Sequence, residues 1–305
     1  MTESINTIQA RQSDFFRSGQ SKVLAYRINS LKALKKAIIR REEAVYLALK
    51  KDLGKPEFES YISELSVVLA DIDQALTQVK RWSRPQRVSG SLLNFPSKDF
   101  IYKVPYGLTL HISPWNYPFQ LALAPLIAAV AAGNCVLLKP SEHSPQTSQL
   151  VADLIAEVFD PCHVTAIQGD AKTATTLLKL RWDYIFFTGS VAVGKIVAKA
   201  AAEYLTPVTL ELGGKNPCII DPSAAIGLAA KRIVWGKFLN AGQTCIAPDY
   251  VLVHTTIYQP LVAALRKEIS AAFGADPLQS ADYGRLIHRK HLERQLSLLE
   301  GEDVI

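Results

Sequence analysis

No Cys-x-x-Cys pair occurs in this 305-residue chain, and its four cysteines, Cys135, Cys162, Cys218 and Cys245, lie far apart. That spacing excludes a disulfide framework or a zinc ribbon and predicts free thiols. No basic region followed by an apolar one opens the sequence. Met1-Thr2-Glu3-Ser4 is acidic and polar, so a secretory signal is not expected and the expected location is cytoplasmic. The most apolar stretch, Leu121 to Leu138, is divided by Pro125, Gly133 and Asn134 into a helix-length piece and a short strand, so no membrane span is expected. No stretch interleaves Lys or Arg with stacking aromatics, which argues against nucleic acid as a partner despite a net charge of +6. Six histidines show no metal-ligand spacing beyond His288 and His291. Those two lie among Arg289, Lys290 and Arg294 and are read as a solvated helix face, so no metal is expected.

What is present is an ordinary globular composition, 49% hydrophobic and 20% charged, enough for a large core in one large or two medium domains. From Ser21 to Leu53 apolar residues recur at helical spacing and predict one long amphipathic helix. Gly54 and Pro56 end it, and a second periodic run covers Glu57 to Trp82. Between Arg84 and Lys103 the pattern breaks into Pro, Ser, Gly and basic residues. A hairpin arm reaching a second subunit and a solvated loop fit that stretch equally well.

Beyond Pro105 candidate strands Leu108–Ile112, Cys135–Leu138, Val164–Gln168, Tyr184–Phe187 and Val208–Leu212 alternate with helical runs Leu121–Ala132, Gln146–Phe159 and Val191–Tyr204. Strand, helix, strand in repetition predicts a doubly wound parallel sheet covered on both faces, an α/β nucleotide-binding pattern preceded by helices. After Gly214 a strand (Cys218–Ile220), a helix (Ala224–Leu239), a cysteine loop, a strand (Tyr250–His254) and a helix (Tyr258–Phe273) begin a second α/β domain.

Gly242-Gln243-Thr244-Cys245 frames a thiol with residues that allow a sharp turn and leave the sulfur reachable, as a nucleophile requires. Phe187-Thr188-Gly189-Ser190-Val191-Ala192-Val193-Gly194 follows a strand and opens a helix, so its amides could face a pyrophosphate. It is not Gly-x-Gly-x-x-Gly, and alone it is a packing turn as readily as a phosphate site.

Taken together, Pro114-Trp115-Asn116-Tyr117-Pro118, Lys139-Pro140-Ser141-Glu142, Phe187-Thr188-Gly189-Ser190, Glu211-Leu212-Gly213-Gly214-Lys215 and Gly242-Gln243-Thr244-Cys245 resemble the aldehyde dehydrogenase superfamily in identity and order. Gly242 to Tyr250 is most similar to the class 3, fatty-aldehyde-like branch. The resemblance implies NAD(P)-dependent oxidation of a medium to long aliphatic or aromatic aldehyde to a carboxylic acid. In that scheme Cys245 attacks the carbonyl and a thiohemiacetal becomes a thioester. Glu211 matches the base that activates the hydrolytic water, a role suited to a partly desolvated carboxylate, with a salt bridge to Lys215 as the alternative. Asn116 matches the side-chain donor of the oxyanion hole. Lys139 and Glu142 match positions that hold the adenosine ribose, and Gly189, Ser190, Val193 and Gly194 match the pyrophosphate turn. A carboxylate at Glu142 favours NAD, although class 3 members with it often use NADP as well.

The resemblance further implies residues 1–210 as helices, an oligomerisation arm (about 84–103) and an NAD(P)-binding domain, with residues 211–305 as the first part of a catalytic domain. Family members continue beyond this length, so the chain is read as C-terminally truncated, and a homodimer is expected with the remaining portion present. Two other functions fit less of the sequence: a catalytically silent NAD-binding fragment, and a coenzyme-A-acylating enzyme, which generally lacks a carboxylate such as Glu211.

Overall fold

The computed structural model describes residues 4–301. Helix α1 (Ile5–Arg17), capped by the Ser4 hydroxyl, was not foreseen from sequence. The long helix expected from Ser21 to Leu53 is two, α2 (Leu24–Arg40) and α3 (Glu42–Leu53). The break is at Arg41, whose backbone (φ −108°, ψ 17°) leaves the helical region while the apolar periodicity continues across it. Periodicity records the buried face and not the continuity of the axis. The second run is α4 (Glu57–Ser60), a π-turn over Tyr61–Leu65 and α5 (Ser66–Trp82).

The stretch of uncertain role forms a hairpin, β1 (Gln86–Val88) antiparallel to β2 (Asp99–Ile101), whose tip leaves Leu92, Leu93 and Phe95 exposed. Then come β3 (Leu108–Ile112), α6 (Gln120–Ala132), β4 (Cys135–Lys139), α7 (Pro145–Val158), β5 (Val164–Ala166), α8 (Ala171–Leu178), β6 (Tyr184–Gly189), α9 (Val191–Ala202) and β7 (Val208–Leu212). The five strands β3 to β7 are parallel in the order β5-β4-β3-β6-β7. The chain winds outward from β3 through β4 to β5, then crosses to β6 and β7, so the winding direction reverses between β3 and β6. That reversal opens a crevice at the carboxyl ends of the strands, where such sheets bind ligands.

All five residues of β3 and of β4 are buried, as befits central strands covered on both faces. Leu110 and Leu137 pack with α1, α8 and α9 on one face, while Val136 and Leu138 pack with α2, α3, α5, α6 and α7 on the other. A second, two-stranded parallel sheet pairs β8 (Asn216–Ile220) with β9 (Pro248–Val253). Helices α10 (Ile226–Phe238) and α11 (Tyr258–Phe273) join it around Ile220, Ala230, Ile233 and Leu261, while Ile219 and Leu252 stay exposed. The division expected between residues 210 and 211 cuts through β7, whose last paired residue is Leu212. The last helix is α12 (Arg289–Ser297). Among the described residues no helix is long and apolar enough to cross a membrane.

Two core histidines should make this fold acid-sensitive. Burial pushes His111 down to about 3 and His163 down to about 4. A histidine whose folded pKa is depressed must stay neutral in the native state, so below the unfolded value near 6.5 protonation favours the unfolded chain. Stability should fall by about 1.4 kcal/mol per pH unit for each histidine as pH drops from 6.5 toward 4. Urea unfolding at pH 7.5, 6 and 5 measures this, and His163→Phe should flatten the slope.

Candidate active site

Cys245 lies in the turn joining α10 to β9, with its side chain exposed. Ahead of it Asn240 (φ 54°), Ala241 (φ 52°) and Gly242 (φ 77°) run consecutively through the left-handed region. For Asn240 and Ala241 that conformation costs on the order of 1–3 kcal/mol each, and it persists only where neighbours over-determine it. Gly242 suits the same backbone, and a Cβ there would stand 3.1 Å from the Lys237 carbonyl oxygen.

The neighbours are the loop after β3 and the start of α4. Asn116, half-buried, donates from Nδ2 to the Gln243 carbonyl at 2.8 Å, which places it beside the chain two residues before the thiol. Asn240, almost fully buried, donates from Nδ2 to the Asn116 carbonyl at 2.6 Å, and its backbone N–H donates to Glu59. The Tyr117 hydroxyl meets the Thr244 hydroxyl at 2.5 Å, and burial pushes that phenol up to about 12. Gln243 is tied in turn to the Arg285 carbonyl at 3.1 Å and to the Ile287 N–H at 3.0 Å.

Beneath this loop Lys55 and Glu64 form a fully buried ion pair at 2.5 Å. Glu64 accepts from the backbone N–H groups of Phe119 and Gln120, while Lys55 donates to the Asn116 carbonyl at 3.4 Å and lies 4.3 Å from the Tyr117 ring centroid. Sequence reasoning passed over Lys55, Glu59, Glu64 and Asn240. Glu59 and Glu64 stand in a helical run where charged residues look like a solvated face, while Lys55 lies in the break between two runs and Asn240 in the turn after α10, where sequence pattern says little.

Glu211 is brought only part of the way. It pairs in register with Thr188 on β6, and the glycines after it carry the chain to Gly214, where a Cβ would lie 3.1 Å from the Cys245 carbonyl oxygen. Asn216 donates to that carbonyl at 2.7 Å. The Glu211 side chain, however, is exposed, which corrects the expectation of partial desolvation: β7 is an edge strand of its sheet, and nothing among the described residues covers it there. The alternative pairing with Lys215 does not form, because Lys215 reaches Asp249 at 3.1 Å instead.

On the other side of the crevice Lys139, nearly fully buried, donates to Glu142 at 2.5 Å. Burial pushes Glu142 upward, but the Lys139 hydrogen bond and charge outweigh it and hold the carboxyl below its ordinary value. Glu142 lines a cavity of about 280 Å³ with Ser141, Gln168, Gly169 and Asp170, and this last loop was not singled out from sequence. Ser190 caps α9, its hydroxyl accepting from the Val193 N–H at 3.3 Å. Gly189 and Gly194 have packing reasons of their own, since a Cβ at Gly194 would meet Leu212 at 2.8 Å and one at Gly189 would meet Phe187 at 2.6 Å. Along β3 and β6 the side-chain atoms His111 Nδ1, Ser113 Oγ and Thr188 Oγ1 are buried with no hydrogen-bond partner among the described residues. Ser113 and Thr188 flank the point where the winding reverses, so polar groups are left over where a polar ligand belongs.

His288 and His291 are not a solvated face. Their rings lie 4.3 Å apart, His288 packs on His143 at 4.8 Å and His291 on Trp115 at 4.8 Å. The shared helix face read from their spacing lies against the loops after β3 and β4. No group of three or more His, Cys, Asp or Glu suited to a metal occurs among the described residues.

The Aldehyde dehydrogenase family model matches residues 3–303 of this chain. A 4,4'-diaponeurosporen-aldehyde dehydrogenase from Staphylococcus aureus is 47% identical over 94% of this chain and 62% of its own length. The dimeric, NADP-preferring aldehyde dehydrogenase of Rattus norvegicus is 42% identical over 99% of this chain and 66% of its own. Staphylococcus aureus AldH, solved in a substrate-bound state, superposes with a TM-score of 0.95 at 44% identity, covering 98% of this chain and 65% of that one. A betaine aldehyde dehydrogenase from Staphylococcus aureus solved with NAD+ gives a TM-score of 0.86 at 28% identity, covering 96% of this chain and 59% of that one. The chain spans 60% to 67% of the length of the curated relatives it matches.

Two measurements check the geometry. Glu64→Ala leaves Lys55 buried without its counter-charge and should destabilise the chain by about 3–5 kcal/mol in urea unfolding. In an iodoacetamide time course at pH 8 read by peptide mass spectrometry, exposed Cys245 should be modified early. Cys135, whose thiol burial pushes up to about 12, should be modified last.

Proposed function

The chain belongs to the aldehyde dehydrogenase family, and from that premise we propose that it oxidises an aldehyde to a carboxylic acid with NAD or NADP through a thioester on Cys245. The observation that carries this reading is the seating of the Asn116 amide 2.8 Å from the Gln243 carbonyl, beside an exposed Cys245 at the end of a tethered turn. The Cys245 thiolate attacks the aldehyde carbon. The second Asn116 amide hydrogen is free to meet the oxygen as it gains charge, and a neutral amide does this without the desolvation cost of a cation. Once a thioester has formed, Glu211 takes a proton from the water that hydrolyses it and Cys245 leaves as thiolate.

NAD(P) would supply the hydride acceptor for the oxidation step. The chain's own residues fit that group. The 280 Å³ cavity, the Lys139–Glu142 pair that offers a donor and an acceptor to ribose hydroxyls, and the unpartnered Thr188 and Ser113 hydroxyls lie along the carboxyl ends of the strands. Glu142 disfavours a 2′-phosphate and Lys139 beside it tempers that, so NAD is the preferred cofactor and NADP is accepted. The apolar hairpin tip, with Leu92, Leu93 and Phe95 exposed, supports a homodimer in which a second copy covers it. The exposure of Glu211 favours a second reading, in which the chain binds NAD and forms the thioester but hydrolyses it slowly.

Titration with NAD followed by hexanal or benzaldehyde, with NADH absorbance as the signal, tests both. The expected outcome is NADH formation that Cys245→Ala abolishes and Asn116→Ala lowers by about 100- to 1000-fold. Glu211→Gln should give a single stoichiometric burst; the same burst from the unmodified chain would establish the slow-hydrolysis reading. NAD binding without NADH from any aldehyde would overturn the proposal.

A further inference from the structure

Glu59 is the only side chain from the N-terminal helices among those described as bonding directly to the left-handed turn that carries Cys245. It is 6% exposed and accepts a 2.5 Å hydrogen bond from the backbone N–H of Asn240, which lies 181 residues further along the chain. Asn240 in turn donates to the Asn116 carbonyl at 2.6 Å and to the Gln243 carbonyl at 3.3 Å. One carboxylate thus sits at the head of a chain of bonds that fixes both the nucleophile's turn and the loop of the oxyanion donor. Glu64 cannot substitute for it, being occupied by Lys55 and the amides of Phe119 and Gln120.

We propose that Glu59 is a positioning residue for Cys245, its carboxylate holding the strained turn at Asn240 and Ala241 in register with Asn116. The purpose assigned to that hold rests on the functional reading above; the hold itself does not. The charged and titratable groups around Glu59 are Lys55 ahead of α4, Glu64 in the π-turn, Tyr117 in the loop after β3 and Tyr283. Lys231, Glu268 and Asp282 line the same cavity of about 400 Å³ that Glu59 borders. Burial pushes the Glu59 carboxyl above its ordinary value, against the Lys55 charge and the Asn240 N–H, and Glu64 adds to the upward push. An ionised carboxylate is the stronger acceptor, so the hold should tighten as Glu59 ionises and slacken as pH falls through its titration.

Hydrogen–deuterium exchange over residues 239–246, corrected for the intrinsic pH dependence of exchange, tests this without cofactor or aldehyde. Glu59→Ala should speed exchange there about tenfold, while Glu59→Gln, which keeps an acceptor oxygen, should stay within about threefold of the parent. Protection in the parent should weaken at acid pH and that dependence should vanish in Glu59→Gln. Residues 108–112 and 135–139 should exchange alike in all three. Should the alanine variant not fold, Glu59→Asp, one methylene too short to reach Asn240, is expected to open the turn in its place. Unchanged protection in Glu59→Ala or Glu59→Asp, a pH dependence that survives in Glu59→Gln, or a loss spread evenly over the central strands would overturn the proposal. In the aldehyde assay kcat should fall about tenfold in Glu59→Ala with KM for NAD within about twofold. A chain that exchanges as expected yet oxidises no aldehyde defeats the functional reading and leaves the role of Glu59 in the turn supported.

Discussion

The site depends first on a buried ion pair. Lys55 and Glu64 are both removed from water, and an arrangement of that kind is tolerable only when the remaining hydrogen-bonding capacity of each ion is also satisfied. Here the surplus capacity is spent on the backbone of the loop after β3: two N–H groups bind Glu64 and one carbonyl faces Lys55. The pair therefore does more than join the ends of one turn. It docks the N-terminal helices against the strand end that presents Asn116, so helices remote in sequence determine where that amide, the proposed oxyanion donor, stands.

The sheet supplies the rest of the frame. In a parallel sheet every strand delivers its next loop to the same edge, and the reversal of winding between β3 and β6 parts the helices there. The residues that follow β3, β4, β6 and β7 thus converge without being close in sequence: Asn116, Glu142, Ser190 and Gly214. The left-handed turn before Cys245 is the costly element in this frame. It is held from three directions, by Glu59 through Asn240, by Asn116 through Gln243, and by residues 285 and 287 through the Gln243 side chain.

Much of this was legible in the sequence because it is written in local pattern. Central strand β4 announces itself through the apolar run Cys135–Leu138 and β3 through alternating Leu108, Leu110 and Ile112, Val208–Leu212 and Tyr258–Phe273 match their elements end to end, and glycines mark the turns. What was not legible belongs to tertiary packing. The helix break at Arg41 leaves the apolar period intact, so nothing local reports it. Short helix α8 (Ala171–Leu178) carries three threonines, which are weak helix formers, and buries only Leu177 and Leu178 at its end. Lys55, Glu59 and Glu64 have the residue types of a solvated face, and only the arrival of the loop after β3, and for Glu59 of the turn at Asn240, turns them into buried partners. His288 and His291 failed in the same way, their basic neighbours pointing to water while the rings themselves turn onto His143 and Trp115.

The two halves of the proposed chemistry are not equally supported by this frame. The proposed attack on an aldehyde would use the exposed thiol of Cys245 on the tethered turn and the amide of Asn116 on the loop above the ion pair, two groups tied together through the Gln243 carbonyl. Hydrolysis of the thioester needs a carboxylate that shares its environment with the reacting centre. Glu211 stands on an edge strand, in register with Thr188 but open to solvent. Its position along β7 is set by backbone pairing while its side chain faces solvent, so among the described residues the proposed hydrolytic half lacks the enclosing contacts that tie Asn116 to the turn of Cys245.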